Sequence, residues 1–291
     1  MTDASAKTAT KIVLGQNNYG KSDIRMVKVY RDGDRHDLTE VRADVSLEGD
    51  FDAAHVEGDN TDLLATDTMR NTVYGLAKDH LNGEVEEFGL KLVDHFLEAG
   101  PKVTGVRVDF IERLWDRIVV DGKEHEHSFV RAAGVRTATV EGDESGARRV
   151  EAGIDEATVL KTTQSGWESY LHEQFTTLPE TDDRILSTVI TAKWVYNTTE
   201  VDFGETWRGV MDQSLTTFTD HYSPSAQNTL YLTGKAVLER FPEIEKIHFS
   251  FPNRHHIIYD LERFGMKNEK EIFHADPEPY GLIEGWVERS S

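Results

Sequence analysis

Along residues 41–48 the apolar Val41, Ala43, Val45 and Leu47 alternate with Arg42, Asp44, Ser46 and Glu48, the period of a strand with one buried face. Val106, Val108 and Phe110 repeat the pattern among Arg107 and Asp109, and Ile247, Phe249 and Phe251 repeat it among Lys246, His248 and Ser250. Elsewhere the period lengthens. Phe88, Leu92 and Phe96 recur every fourth residue within Val85–Ala99, and Trp207, Met211, Leu215, Phe218 and Tyr222 mark one face of a second such stretch; both predict amphipathic helices. Lys11–Leu14 and Ile24–Tyr30 read as strands separated by a turn-rich Gly15–Ser22, and Asp121-Gly122 as a hairpin turn leading to His127–Val130 and Val135–Val140. Leu186, Ile190, Ala192, Trp194 and Tyr196 mark a long strand, with later strands at Ile257–Leu261 and near Leu282–Val287.

Two stretches 157 positions apart, Thr66–Lys78 and Ser223–Lys235, share Asn-Thr-apolar-Tyr-x-x-x-Lys (Asn71/Asn228, Thr72/Thr229, Tyr74/Tyr231, Lys78/Lys235). Each reads as a hydroxyl cap followed by a helix, the second opening at Ser223 with Pro224 in the first turn, and together they read as an internal repeat. The strands then group on either side of a helix pair in each half. That order predicts an α+β fold of two tandem units, each a four-stranded antiparallel sheet with two helices on one face. The divisions are a tail at residues 1–10, a first unit at 11–150 and a second at 151–291. Open sheet edges and bare faces predict assembly. A helix start presents free N–H groups and a positive dipole end, so two of them suggest two halves of an anion site.

Fifty-three acidic against thirty-two basic residues give a net charge of -21 over 291 residues, which argues against nucleic-acid and anionic-membrane partners. With no cysteine, disulfides, thiolate metal sites and cysteine nucleophiles are excluded. No apolar run reaches membrane-spanning length and Met1–Thr10 lacks a signal-peptide core, so the expected address is the cytoplasm.

Nucleotide and hydrolase fingerprints are missing, which leaves isolated candidates. Pro252-Asn253-Arg254-His255-His256 follows an apolar strand directly; its histidines read as surface residues, as metal ligands with His125 and His127, or as proton carriers. Lys21 sits in a loop as an ordinary solvated charge. Arg184 stands beside Asp182 and Asp183, the setting of an ordinary ion pair. Trp167, within a polar stretch, is either a loop anchor or a face for a flat ligand.

Taken together, Tyr19-Gly20-Lys21, Ala65-Thr66-Asp67-Thr68, Asn71-Thr72, Gly122–Arg131, Thr176-Thr177-Leu178, Asp183–Thr188, Ser225-Ala226-Gln227 and Pro252–His255 resemble the urate oxidase (uricase) family over about residues 11–287. The resemblance implies two tandem tunnelling-fold units per chain, a homotetramer around a tunnel, no metal or organic cofactor, and conversion of urate and dioxygen to 5-hydroxyisourate and hydrogen peroxide. It implies that Arg184 and Gln227, with the Ala226 N–H, hold urate, that Thr66 and Asp67 reach it from a neighbouring subunit, and that Asn253 faces the dioxygen site. Lys21, Thr66 and His255 would relay protons. Trp167 stands where the family usually stacks urate on Phe. A noncatalytic purine- or pterin-binding assembly of the same fold is the alternative, although it would have no use for Lys21 and His255.

Overall fold

The computed structural model describes residues 11–290, so the expected tail at 1–10 lies outside the described residues. In chain order the elements are β1 (Tyr19–Asp32), β2 (Arg35–Gly49), α1 (Thr66–His80), α2 (Val85–Ala99), β3 (Val103–Val120) and β4 (Lys123–Asp143), then β5 (Arg148–Lys161), β6 (Leu186–Tyr196), α3 (Phe203–Thr219), α4 (Ala226–Arg240), β7 (Ile244–Ile258) and β8 (Phe273–Glu288). All eight strands form one antiparallel sheet in sequence order, leaving β1 and β8 as open edges. Each half is therefore strand, strand, helix, helix, strand, strand. β4 pairs with β5, so the sheet crosses the midpoint without a break.

Burial follows the alternation. Val41, Ala43, Val45 and Leu47 of β2, Val106, Val108 and Phe110 of β3, and Ile247, Phe249 and Phe251 of β7 are buried beneath the helices. From the other side Phe88, Leu92 and Phe96 of α2 are fully buried, each worth about 1.5–3 kcal/mol of transfer free energy. The sheet's second face is left uncovered by the helices and mixes exposed apolar residues such as Val27, Val29 and Trp286 with charge. It carries ion pairs such as Arg107–Asp109 at 2.6 Å and Arg149–Glu151 at 2.5 Å.

Several expectations need correction. Lys11–Leu14 has no regular structure, whereas Tyr19–Lys21, read as turn, pairs with Leu47, Ser46 and Val45. Gly20 makes that possible: a Cβ there would meet the Val45 carbonyl oxygen at 1.8 Å. The 157-position repeat is not the structural one, because it matches the first helix of one half to the second helix of the other. Val85 to Ala226 (α2 to α4) and Val103 to Ile244 (β3 to β7) are both offsets of 141. The matched Asn, Tyr and Lys side chains are all exposed and so carry no packing register. Nor does α4 open at Ser223. Pro224 holds the preceding residue extended, and Ser225 is the cap, its hydroxyl accepting from the Asn228 N–H at 3.1 Å. Thr66, likewise, is the first helical residue of α1 and not its cap.

Candidate active site

Three segments meet at one end of the second half. Ser165 and Ser223 form a parallel bridge, Gly166 N–H donates to Ser223 O at 2.9 Å, and Ser223 N–H donates to Gln164 O at 2.8 Å. Trp167 and Thr181 form an antiparallel bridge, and the Arg184 N–H donates to Ser165 O at 2.8 Å. The loop bearing Trp167, the lead into β6 bearing Arg184, and the lead into α4 are thus stitched together by backbone. Gly166 permits the closeness, since a Cβ there would lie 2.0 Å from the Tyr222 hydroxyl. Beneath this frame, Ala226 is buried with Leu186 and Phe218, packed by Val159 and Ile283.

Ile283 pairs with Phe251, and two residues beyond Phe251 on the same side of β7 comes Asn253, opposite Gly281. Asn253 therefore lies near the start of α4, where the first-turn N–H groups of Ala226 and Gln227 precede the intrahelical ladder. Gln227 itself is exposed. His255 follows across a register shift and pairs with Asp276.

Arg184 is the electrostatic centre of this group. Its guanidinium is more than half buried, and burial pushes its pKa down from the ordinary value, opposed by the nearby Tyr222. Of five N–H donors, the side chain uses one, Nε to Ser165 Oγ at 3.3 Å. The sequence neighbours expected to pair with it do not: Asp183 binds Lys270 at 2.9 Å and Thr163 at 2.8 Å instead. Among the described residues Arg184 has no ion pair. Its Cζ lies 5.7 Å from the Trp167 ring centre, so a part-buried cation with unused donors faces an aromatic surface beside a helix start. Such a cation favours a planar anion with adjacent acceptors.

The remaining candidates occupy the first half. Lys21 pairs in register with the buried Val45, which puts it on the helix-covered side of edge strand β1. Tyr19, two residues earlier, accepts from the Leu64 N–H at 2.9 Å, drawing β1 toward the start of α1 where Thr66 and Asp67 stand. Asp67 pairs with Arg70 at 2.6 Å. Among the described residues no hydrogen bond or ion pair joins Lys21, Thr66 or Asp67 to Trp167, Arg184, Gln227, Asn253 or His255. The sheet explains this: β1 and β7 are six strand spacings apart, about 29 Å along a flat sheet. The histidine pair His125 and His127 lies elsewhere, in a groove of about 420 Å³ at the tips of the β1–β2 and β3–β4 hairpins, and among the described residues no group of three or more His, Asp or Glu is arranged to hold a metal.

A family model, Uricase, matches residues 17–141 and 150–284. The chain belongs to the uricase family. It is 45% identical to the uricase of Arthrobacter globiformis over 289 residues, covering 98% of this chain and 93% of that one. The Dictyostelium discoideum uricase is 38% identical over 280 residues, with 95% and 98% covered. The crystal structure of the Arthrobacter globiformis uricase superposes with a TM-score of 0.91 over 96% of each chain. A Bacillus sp. TB-90 urate oxidase, 21% identical, shares the fold with a TM-score of 0.82 over 94% of this chain and 100% of that one. These uricase neighbours have the tunnelling fold, and the two matched segments correspond to the two halves described above.

What sequence reading missed is the frame. Ser165, Gly166, Thr181 and Ser223 hold the site by backbone bonds, which leave no pattern in residue type. The one available signal was Gly166 directly before Trp167, a glycine in a polar loop with no turn partner.

Proposed function

We propose that the grouped residues bind urate and that the first-half residues of a second copy complete the site. The activity is urate oxidation, in purine degradation. The overall change is urate, dioxygen and water giving 5-hydroxyisourate and hydrogen peroxide: urate loses two electrons to dioxygen, which takes up two protons, and a water oxygen adds to the ring. Arg184 grips two adjacent acceptors of the urate anion, Gln227 meets a neighbouring donor and acceptor, and the Ala226 N–H adds a contact from the helix start. Trp167 supplies the flat face. Thr66 and Asp67 of the second copy close the opposite edge of the ring. Lys21, Thr66 and His255 carry the proton that urate loses and the protons that peroxide gains, while Asn253 holds dioxygen or water above the ring. No metal or organic cofactor enters this scheme, because the urate dianion is itself the reductant.

Sharing between copies is supported by the open edges. Pairing β8 of one chain with β1 of the next places Lys21 beside the strand pair that carries Asn253 and His255, and closing the second seam gives two sites per dimer. Two such dimers would form the homotetramer, with urate and dioxygen as its partners. Among the described residues no helix is long and apolar enough to cross a membrane, and a cytoplasmic enzyme is the reading we adopt.

The observation that carries the proposal is the part-buried Arg184, without an ion pair among the described residues, beside Trp167 and the α4 start. Mixing the purified protein with urate in air should remove urate's ultraviolet absorbance and release one peroxide per urate. Urate that binds without being consumed would instead make the assembly a noncatalytic purine-binding protein.

A further inference from the structure

The loop from Trp167 to Thr181 contains a second aromatic arrangement. Tyr170 stacks on Trp167 with ring centres 5.4 Å apart and planes 19° apart, and His172 continues the stack on Tyr170 at 4.7 Å and 15°. The stack is fastened at several points. Tyr170 donates its hydroxyl proton to Leu178 O, the Ser169 N–H donates to Glu180 Oε1 at 3.1 Å, and His172 Nε2 lies 3.5 Å from the same carboxylate oxygen. The Trp167–Thr181 bridge closes the loop at its base. Nearly parallel rings at these spacings place Tyr170 against one face of the indole, so a stacked ligand would take the opposite one.

We propose that Tyr170 is a positioning residue for the purine: by backing Trp167 it fixes the plane against which urate stacks. This rests on the reading of Trp167 as the stacking surface. A tryptophan in a loop has two side-chain torsions to lose when a ligand arrives, and a ring already held on its far face has lost them beforehand. Tyr170 needs no contact with urate to act in this way. His172 extends the backing outward, and the Leu178 carbonyl sets the rotation of the tyrosine ring.

The test measures urate binding by equilibrium dialysis under nitrogen, where turnover stops, and KM and kcat in air. Tyr170→Ala should weaken anaerobic urate binding roughly two- to tenfold, raise KM in proportion and leave kcat nearly unchanged, while Tyr170→Phe keeps the stack and stays within about twofold of wild type. Tyr170→Leu fills the space without a ring and should behave like alanine, which separates lost stacking from a misfolded loop. The deciding readout is a double-mutant cycle: in a Trp167→Ala background, Tyr170→Ala should have no further effect. Additive losses, or a Tyr170→Ala protein that binds as wild type while Trp167→Ala does not, would overturn the role of Tyr170 and leave the site reading intact. Unchanged binding in Trp167→Ala itself would overturn both.

Discussion

Arg136 is buried and Arg184 partly so, and the two differ in what surrounds them. Arg136, on β4, is enclosed by carboxylates: Glu86 at 2.6 Å, Glu84, and Glu112 at 3.9 Å. Burial by itself would lower its pKa, but these acids raise it. The cluster joins the two halves, because Glu84 presses against Gly204 at the start of α3 and Arg136 lies over the Trp207 ring. Among the described residues no carboxylate pairs with Arg184. A buried charge saturated with partners is part of the fold, whereas a part-buried one left with unused donors is held ready for a partner the chain does not contain.

The contrast predicts opposite phenotypes. The largest effect belongs to Arg136→Met, which strands Glu86, fully buried, beside two further acids; the cost should be about 3–5 kcal/mol of stability, seen as a large drop in thermal midpoint. A Met variant as stable as wild type would remove Arg136 from the structural side of the comparison. Next comes pH. Burial pushes the Glu112 carboxyl up from 4.5 to about 7, only partly offset by Arg136, and its Oε2 has no hydrogen-bond partner. A folded-state pKa raised above the unfolded value means the folded chain binds the extra proton. Stability is then greatest below pH 4.5 for this group and is lost as pH rises through about 7, by on the order of 3 kcal/mol. Glu112→Gln should flatten that slope in thermal midpoints measured from pH 5 to 8, and an unaltered slope would place the proton elsewhere.

Arg184→Ala, by contrast, should leave the thermal midpoint within a degree or two while weakening urate binding by about 1.5–3 kcal/mol, the worth of charge-assisted hydrogen bonds. Destabilisation as large as that of Arg136→Met would erase the distinction. Smallest of all is Trp167→Phe, which keeps a flat face and should change urate affinity by less than about 1 kcal/mol; a loss equal to that of Trp167→Ala would mean the indole is used for something other than stacking.

How much of this could be read in the residues depended on whether packing or backbone decided the matter. Phe88, Leu92 and Phe96 gave α2 its limits because all three reach the core. The strand β5 escaped notice: Val150, Ala152 and Ile154 alternate and are buried, but a bulge with Glu156 at φ 60 shifts the phase so that Ala157 and Val159 continue it. The pairing of α1 with α4 by their shared Asn, Tyr and Lys failed for a related reason, since those residues face solvent in both helices. Arg184 and Trp167 stood out by type, yet nothing in the residues near them revealed that Asp183 would turn to Lys270 and leave the guanidinium unpaired.

The central claim is that neither half of one chain holds a whole site, and mixed assemblies test it most directly. Lys21→Ala and Arg184→Ala proteins, each first shown to refold and to exchange subunits, should be nearly inactive alone. Refolded together, half of the dimers become hybrids, and each hybrid unites an intact Lys21 from one chain with an intact Arg184 from the other at one of its two sites. Roughly a quarter of wild-type urate oxidation should therefore return. Verified hybrids that remain as inactive as their parents would place Lys21 and Arg184 in the same chain's site and contradict the account.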